Sequence, residues 1–213
     1  MKIIRANAYD TDIFSKKELD FGACCFYSED RALKYFFEIK GRDATLYTNV
    51  IPCENQFLQE AIDNFLFYSG FIVTIKDTDG NILRENPQNK PYLHEILKIQ
   101  PSQFYINEKK LIDCKKWIKS YEDIFVPIVI KDGISISQDG HTRLRAALDL
   151  GFTSVYAYQE DYSEHIFHFT NEAKRRGINS ISDMEILSDE DYVLKWHKYC
   201  DDYFNRTGEN SDQ

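Results

Sequence analysis

The sequence lacks long hydrophobic runs, a signal-like leader and any CxxC pair, and each absence argues against a class of protein. No apolar stretch approaches the roughly 20 residues that span a bilayer, which excludes a transmembrane protein. The first residues show neither an apolar core nor a small-residue cleavage site, so we expect a cytoplasmic protein that makes no membrane contact. Five cysteines without a CxxC pair give no support to a zinc knuckle or a thioredoxin-type site.

An excess of basic residues is also lacking. Asp and Glu outnumber Lys and Arg by 35 to 26, which gives a formal net charge of −9. A protein that binds nucleic acid mainly through phosphates needs a basic face, so nucleic acid is disfavoured as a partner. Hydrophobic residues make up 43% of the 213 residues, enough to bury a core. The length predicts one large domain or two small ones.

The residue patterns predict an α/β (α+β) protein with several parts. Residues 1–90 are expected to form a small mixed α/β domain of unknown role. A polar segment with two prolines, residues 85–91, is the best candidate linker. The elements predicted in this half are a hairpin of residues 34–39 and 44–50, a helix over 57–66, and strands at 71–75 and 81–83.

Residues 96–160 are predicted to combine strands and helices. Residues 161–204 are expected to form a helical extension, and residues 205–213 are expected to form a frayed tail. The predicted elements are a strand at 97–99, a turn at 101–105, a helix capped by Asn107, a hairpin of 126–130 and 134–137, a helix that ends at Gly151, and a strand at 155–158.

One segment carries chemistry. Residues 134–150 are typical of a strand, a tight turn and the start of a helix, where free backbone N–H groups and the helix dipole favour an anion. A glycine in the turn admits a ligand close to the backbone. A guanidinium holds phosphate oxygens in two places, and a carboxylate suits a ligand hydroxyl or Mg²⁺. The predicted phosphate-binding residues are therefore Asp139, Gly140, His141, Thr142 and Arg143, with Asp139 as the metal ligand.

A structural interpretation of the same turn stays open, because Asp and Gly also serve turn and cap chemistry where a strand meets a helix. His141 is either a proton-transfer group or a capped, solvated residue. Nearby tyrosines are either stacking partners for a nucleotide base or ordinary core residues. These are Tyr156, Tyr158 and Tyr162.

Residues 96–160 resemble the ParB/sulfiredoxin superfamily. The similarity rests on residues 97–103, on residues 126–130 and on the turn with its Ala-rich helix and following Gly151. It implies a nucleotide-binding α/β domain. The turn that carries most of the resemblance reads Asp139-Gly140-His141-Thr142-Arg143.

The same turn separates the branches of the superfamily. Sulfiredoxins have a cysteine directly after the turn glycine, where this sequence has His141. Chromosome-partitioning ParB proteins have Gly-Glu-Arg-Arg and a basic helix-turn-helix region, which this acidic sequence lacks. The free-serine kinases have an Asp-Gly-His-x-Arg type of turn, which matches best.

The resemblance to the free-serine kinases implies ATP or ADP as the phosphoryl donor, with CTP as an alternative nucleotide, and Mg²⁺ as the ion. It implies a glutamate as the base that activates the hydroxyl, and Glu108 is the nearest equivalent, ahead of Glu95. Asp139, together with His141, would organise the ion. Glu108 has a structural alternative, since an acidic residue in the first turn complements the helix dipole.

Three functions follow as hypotheses. The first is a phosphotransferase that acts on a small hydroxyl compound such as free serine. The second is a non-catalytic nucleotide-sensing module. The third is a DNA-associated ParB-like protein, against which the acidic balance argues.

Overall fold

The computed structural model of the chain describes residues 2–6, 10–15, 18–19, 24–49, 57–86, 91–162 and 164–208. It divides into two compact units, Met1–Lys90 and Pro91–Gln213. Both units combine helices with sheets, and the predicted α/β class is therefore confirmed. Most of the predicted linker and of the predicted tail, together with Cys53, lies outside the described residues.

The first unit is a six-stranded sheet in the order β1-β2-β3-β4-β5-β6. Neighbouring strands are antiparallel except β4 and β5, which are parallel and are connected through the helix α1 (Leu58–Tyr68). The Phe65 ring of this helix stacks on Phe37 of the sheet, with the ring centroids 4.1 Å apart. The strands are β1 (Ile3–Arg5), β2 (Cys24–Ser28), β3 (Lys34–Lys40), β4 (Asp43–Thr48), β5 (Thr74–Lys76) and β6 (Ile82–Glu85).

The second unit contains a five-stranded mixed sheet in the order β7-β12-β10-β11-β8 and a separate parallel pair of β9 with β13. Strand β10 is parallel to β12 and antiparallel to β11, and β11 is parallel to β8. The strands are β7 (Tyr92–Glu95), β8 (Ile99–Pro101), β9 (Tyr105–Asn107), β10 (Phe125–Lys131), β11 (Ile134–Ser137), β12 (Ser154–Gln159) and β13 (Glu185–Leu187).

The helices of the second unit contribute side chains to its hydrophobic core. The last helical stretch runs without a break from α5 (Asp189–Tyr192) through a π-helical segment (Val193–His197) into α6 (Lys198–Thr207). The elements are α2 (Glu108–Trp117), α3 (His141–Asp149), α4 (His165–Arg175), α5 (Asp189–Tyr192), the π segment (Val193–His197) and α6 (Lys198–Thr207), with short 3₁₀ turns at Ile96–Lys98, Tyr121–Asp123 and Ile181–Asp183.

One hydrophobic core joins these elements. It includes Ile128 of β10, Leu144 of α3 and Ala173 of α4, all fully buried. Residues after α4, among them Ile181, belong to the same core. The segment after residue 160 is therefore packed into the second unit, because its apolar side chains complete the same buried cluster.

Four predicted segments differ from the structure. Residues 161–204, predicted to be a helical extension, contain the strand β13 (Glu185–Leu187). Residues Ile96–Lys98 form a 3₁₀ turn, and the strand begins one turn later at Ile99. Tyr105, predicted as the last residue of a turn over 101–105, begins the strand Tyr105–Asn107, because β13 pairs with this segment. The strand predicted at 71–75 begins at Thr74. Each error concerns a short segment whose structure depends on a distant partner.

Within the part of the chain that the structure describes, each helix is too short or too polar to cross a bilayer.

Candidate functional site

The site begins at a glycine that has to be a glycine. Gly140 has φ +80°, in the left-handed region, and is the N-cap of α3. A Cβ at this position would lie 3.1 Å from Nη2 of Arg143. Two observations therefore favour glycine at this position. The positive φ is strained for other residues, and a Cβ would force the Arg143 guanidinium to shift by a few tenths of an ångström.

Arg143 folds back across this turn from the first turn of α3. Its Nη1 donates to the carbonyl of Phe125 at 2.7 Å, and its Nη2 donates to Oδ2 of Asp139 at 2.9 Å. The side chain retains 25% of its exposure. The guanidinium is thus held beside the N-terminus of α3, and part of the side chain is exposed to solvent.

Asp139 is the anion that Arg143 holds in this structure, and its side chain is 79% exposed. Loss of surrounding water acts to raise the pKa of Asp139, but the Arg143 charge and the hydrogen bond from the Gly140 amide outweigh this effect and hold the pKa below its usual value. An ionised carboxylate therefore stands at the mouth of the turn, where it can bind a cation or compete with an incoming anion for Arg143.

His141 is buried beneath the turn, with 3% of its surface exposed. The Ser102 N–H donates to its Nε2 at 3.1 Å, and the Ser137 hydroxyl lies 2.9 Å from the same nitrogen. Burial lowers the pKa of His141 to about 4, with Asp139 opposing this effect and Arg143 adding to it. The ring is therefore neutral with its proton on Nδ1, since Nε2 accepts the amide hydrogen.

These contacts tie together three elements. Ser102 follows β8, Ser137 ends β11, and His141 opens α3. The Ser102 hydroxyl also donates to the Ser137 carbonyl at 2.7 Å. In this arrangement His141 fixes where α3 begins, which favours a positioning role. Its predicted catalytic role stays a prediction.

The start of α3 offers backbone amides. The first intrahelical hydrogen bond runs from the Leu144 N–H to the Gly140 carbonyl, at 2.9 Å. The N–H groups of His141, Thr142 and Arg143 precede it and have no carbonyl four residues back within the helix. Thr142 is half-buried, and the described residues provide no hydrogen-bond partner for its hydroxyl. The predicted residues from Asp139 to Arg143 are thus brought together at one helix end.

Glu108 is not brought into contact with them. It is exposed in the first turn of α2, and among the described residues it makes no hydrogen bond or ion pair with the turn at Gly140. Glu95, the second candidate base, forms an exposed ion pair with Lys98 at 2.6 Å. The catalytic role predicted for Glu108 stays a prediction.

The structure adds a residue that the sequence analysis missed. Glu160 directly follows β12, and its amide donates to the Ile128 carbonyl at 3.1 Å. The Gln138 side chain donates to the Asp161 carbonyl at 2.8 Å, which links the Gly140 turn to the segment after β12. Burial raises the pKa of Glu160, and the charges of Asp139 and Asp161 raise it further.

Glu160 also has no side-chain hydrogen bond among the described residues. A half-buried, unpaired carboxylate with a raised pKa is the usual condition of a general base. The sequence shows only that Glu160 follows a predicted strand closely. The structure shows that this strand is parallel to β10, and ligand sites collect at the carboxyl ends of parallel strands.

The tyrosines divide between core and surface. Tyr158 is 3% exposed and belongs to the interior. Tyr156 is half-buried and stacks on Phe125, with centroids 5.4 Å apart. Tyr162 is 53% exposed and lies against Phe167 at 4.7 Å. Two of the three therefore have ring area near the surface.

Metal-ligating side chains are sparse around the turn. Among the described residues no three His, Cys, Asp or Glu side chains converge. A Mg²⁺ ion needs few protein ligands when phosphate oxygens and waters complete its octahedron, so the single carboxylate of Asp139 fits a metal that arrives with a nucleotide.

The sequence matches no protein-family model and no curated protein. Among solved structures it is similar to the crystal structure of protein Atu1540 from Agrobacterium tumefaciens, with 16% sequence identity and a TM-score of 0.35. The match covers 46% of this chain and 63% of that chain, less than two thirds of its length. At this level the similarity supports neither a shared function nor a shared fold.

Proposed function

We propose that the second unit binds the phosphates of a nucleotide at the Gly140 turn, and that the protein transfers a phosphoryl group from ATP or ADP to a small hydroxyl compound such as free serine. The observation that carries the proposal is the Arg143 guanidinium packed on a glycine that caps a helix. Backbone amides, a helix dipole and a forked cation at one point favour a phosphate. The resemblance of this turn to the free-serine kinases supports the reaction.

Asp139 has two consequences for binding. Without a metal ion, its carboxylate competes with a phosphate for Arg143, because the two share Nη2. With Mg²⁺, the same carboxylate becomes a ligand of the ion that accompanies the phosphates. The proposal therefore requires nucleotide affinity to depend on Mg²⁺ through Asp139.

Transfer requires a base that accepts the proton of the attacking hydroxyl while its oxygen forms a bond to the transferred phosphorus and the shortened nucleotide leaves. Glu108 is the base that the resemblance implies. Glu160 is the base that the environment favours, because burial and the Asp139 charge raise its pKa.

A second candidate function is a nucleotide-sensing module without turnover. The observation in its favour is that Glu108 is exposed and apart from the turn contacts, and that His141 is buried and already hydrogen-bonded. Such a module would use the same phosphate site. The two functions differ in turnover alone.

Binding is tested by calorimetric titration with ATP, ADP, CTP and GTP, each with and without Mg²⁺. Arg143→Ala is expected to weaken binding at least tenfold, because one charge-assisted hydrogen bond is worth about 1.5–3 kcal/mol. Arg145→Ala is the matched control, since Arg145 lies on the same helix but pairs with Asp149 at 2.9 Å. Asp139→Asn is expected to remove the Mg²⁺ dependence. Equal affinities for all variants would contradict the site.

Transfer is tested by following radiolabelled phosphate from ATP or ADP into serine and other small hydroxyl compounds. We expect Glu160→Gln or Glu108→Gln to abolish labelling while nucleotide affinity is kept, which identifies the base. Nucleotide binding without labelling of any acceptor by the unmodified protein would assign the protein to the sensing class.

The proposed location is the cytoplasm. Among the described residues, Cys25, Cys114 and Cys200 are free thiols. Free cysteines are typical of reducing compartments, where disulfides are rare.

A further inference from the structure

A second cleft lies away from the Gly140 turn, between one side of α4 and the β10–β11 hairpin. Its volume is about 270 Å³. Helix α4 contributes Phe167, Thr170 and Lys174, which share one face because they are spaced three and four residues apart. Pockets for drug-sized ligands occupy roughly 300–1,000 Å³, so this cleft suits a smaller molecule.

Three apolar side chains, Ile134, Ile136 and Phe167, form part of the lining of the cleft. Ile136 of β11 is 4% exposed, and Ile134 beside it is 40% exposed. The Phe167 ring forms part of the wall and is half-buried. The buried Thr170 hydroxyl donates to the Ile166 carbonyl at 2.7 Å, so its hydrogen is already used within the helix. The two isoleucines therefore offer a small apolar surface to a hydrocarbon group.

The rim of the cleft carries positive charge in a chain whose net charge is −9. Lys131 and Lys174 both line it, and among the described residues neither ammonium group forms an ion pair with a carboxylate. Lys131 Nζ lies 3.4 Å from the centroid of the Phe167 ring, a cation–π contact that holds the charge at the wall. Asp132 contributes one negative charge against these two positive ones.

We propose that this cleft binds a small organic carboxylate that has an aliphatic or aromatic body. The carboxylate would pair with Lys131 and Lys174, with the Asn171 amide as a further donor, and the body would lie on Ile134 and Ile136, beside the Phe167 ring that Lys131 covers. Apolar side chains combined with a few convergent polar groups are the usual construction of a small-molecule site. The proposal is independent of nucleotide binding, because it uses no residue of the Gly140 turn.

The test follows the methyl signals of Ile134 and Ile136 by ¹H–¹³C NMR during titration of the full chain with hexanoate and with benzoate. We expect saturable shifts of both methyl groups with each acid. Hexanol supplies the same hydrocarbon without the charge, and inorganic phosphate supplies an anion without the hydrocarbon. Both are expected to produce at least tenfold weaker binding.

The variant Lys131→Gln/Lys174→Gln is expected to lose the acid-dependent shifts. Lys109→Gln/Lys198→Gln removes the same charge outside the cleft and is expected to keep them. Lys174→Gln alone serves if the first double variant does not fold. Absence of saturation in the unmodified protein, equal binding of hexanol, equal binding of phosphate, or unchanged binding in the cleft variants would each overturn the proposal.

Discussion

At the residue scale, two separate features favour glycine at position 140, the positive φ and the nearby Arg143 guanidinium. Gly140→Ala is expected to destabilise the protein by more than the roughly 1–2 kcal/mol that a left-handed angle costs an L-residue. The added Cβ would also meet three guanidinium atoms of Arg143 at 3.1–3.3 Å. The free energy of unfolding in urea measures the sum of the two effects.

The variant Gly133→Ala separates the effect of the backbone angle from the effect of the Arg143 contact. Gly133 has φ +77°, close to the +80° of Gly140, but among the described residues no heavy atom beyond its chain neighbours lies within 4 Å of the point that a Cβ would occupy. We expect Gly140→Ala to cost more than Gly133→Ala and to weaken nucleotide binding, whereas Gly133→Ala should leave binding unchanged. Equal losses of stability would contradict the contact between Arg143 and the turn.

His141 predicts a dependence of stability on pH. Its pKa is about 4 in the folded protein, below the 6.5 of an unhindered histidine, because burial disfavours the charged ring. Between these two pKa values, the unfolded chain binds the proton more readily than the folded protein does. The free energy of unfolding therefore falls as the pH decreases from about 6.5 to about 4, and His141 causes no further change below pH 4. The loss is at most roughly 3 kcal/mol.

The control is His141→Gln, which keeps an acceptor for the Ser102 N–H without a titrating ring. The difference in unfolding free energy between the unmodified protein and this variant should shrink or reverse as the pH decreases from about 6.5 to about 4. Parallel pH profiles of the two proteins would show that His141 is not buried as a neutral ring.

At the element scale, α2 depends on its cap. The Asn107 side chain accepts the Lys110 N–H at 2.9 Å, and its Nδ2 donates to Asp189 at 2.8 Å. Asn107→Ala should cost about 1 kcal/mol from the cap, more with the loss of the second bond. Thermal or urea unfolding measures the change.

Asn107→Asp distinguishes the two bonds, because aspartate keeps the cap acceptor but places a carboxylate against Asp189. We expect Asn107→Asp to be destabilised at neutral pH and to be rescued by Asp189→Asn. If Asn107→Asp were as stable as the unmodified protein, this result would contradict the hydrogen bond between Asn107 and Asp189.

Elements with local signals were predictable from the sequence. The cap at Asn107, the hairpin turn of Asp132 and Gly133 and the turn at Gly140 each depend on nearby residues, and the structure has all three. The pairing of β9 with β13 was not predictable, because Ile106 and Ile186 are 80 positions apart and each strand has three residues. A segment of three residues is too short to show the alternation of apolar and polar residues that identifies a strand.

The candidate site likewise contains residues that the sequence could predict and residues that it could not. The turn from Asp139 to Arg143 is contiguous, so its residue types alone indicated an anion site. Glu160 and Ser102 are far from it in sequence, and only the pairing of β10 with β12 and of β8 with β11 places them nearby. Whether an ionisable residue is buried also depends on the assembled fold, as the pKa values of His141 and Glu160 illustrate.

At the scale of the whole molecule, the second unit contains its own core and the complete candidate site. All of the residues from Asp139 to Arg143, and Glu160, lie within Pro91–Gln213. We expect a fragment of residues 91–213 to unfold cooperatively and to bind nucleotide with the affinity of the full chain. Circular dichroism and calorimetry check these two expectations, and loss of binding in a folded fragment would show that the first unit contributes to the site.

Nucleotide binding at the Gly140 turn is tested most directly by a ¹H–¹⁵N NMR titration of the protein with ATP and Mg²⁺. We expect the backbone amides of Gly140, His141, Thr142 and Arg143 to show the largest saturable shifts, because the phosphates accept hydrogen bonds from the start of the helix. Shifts that are absent from these amides, or that are unchanged in Arg143→Ala, would contradict nucleotide binding at this turn.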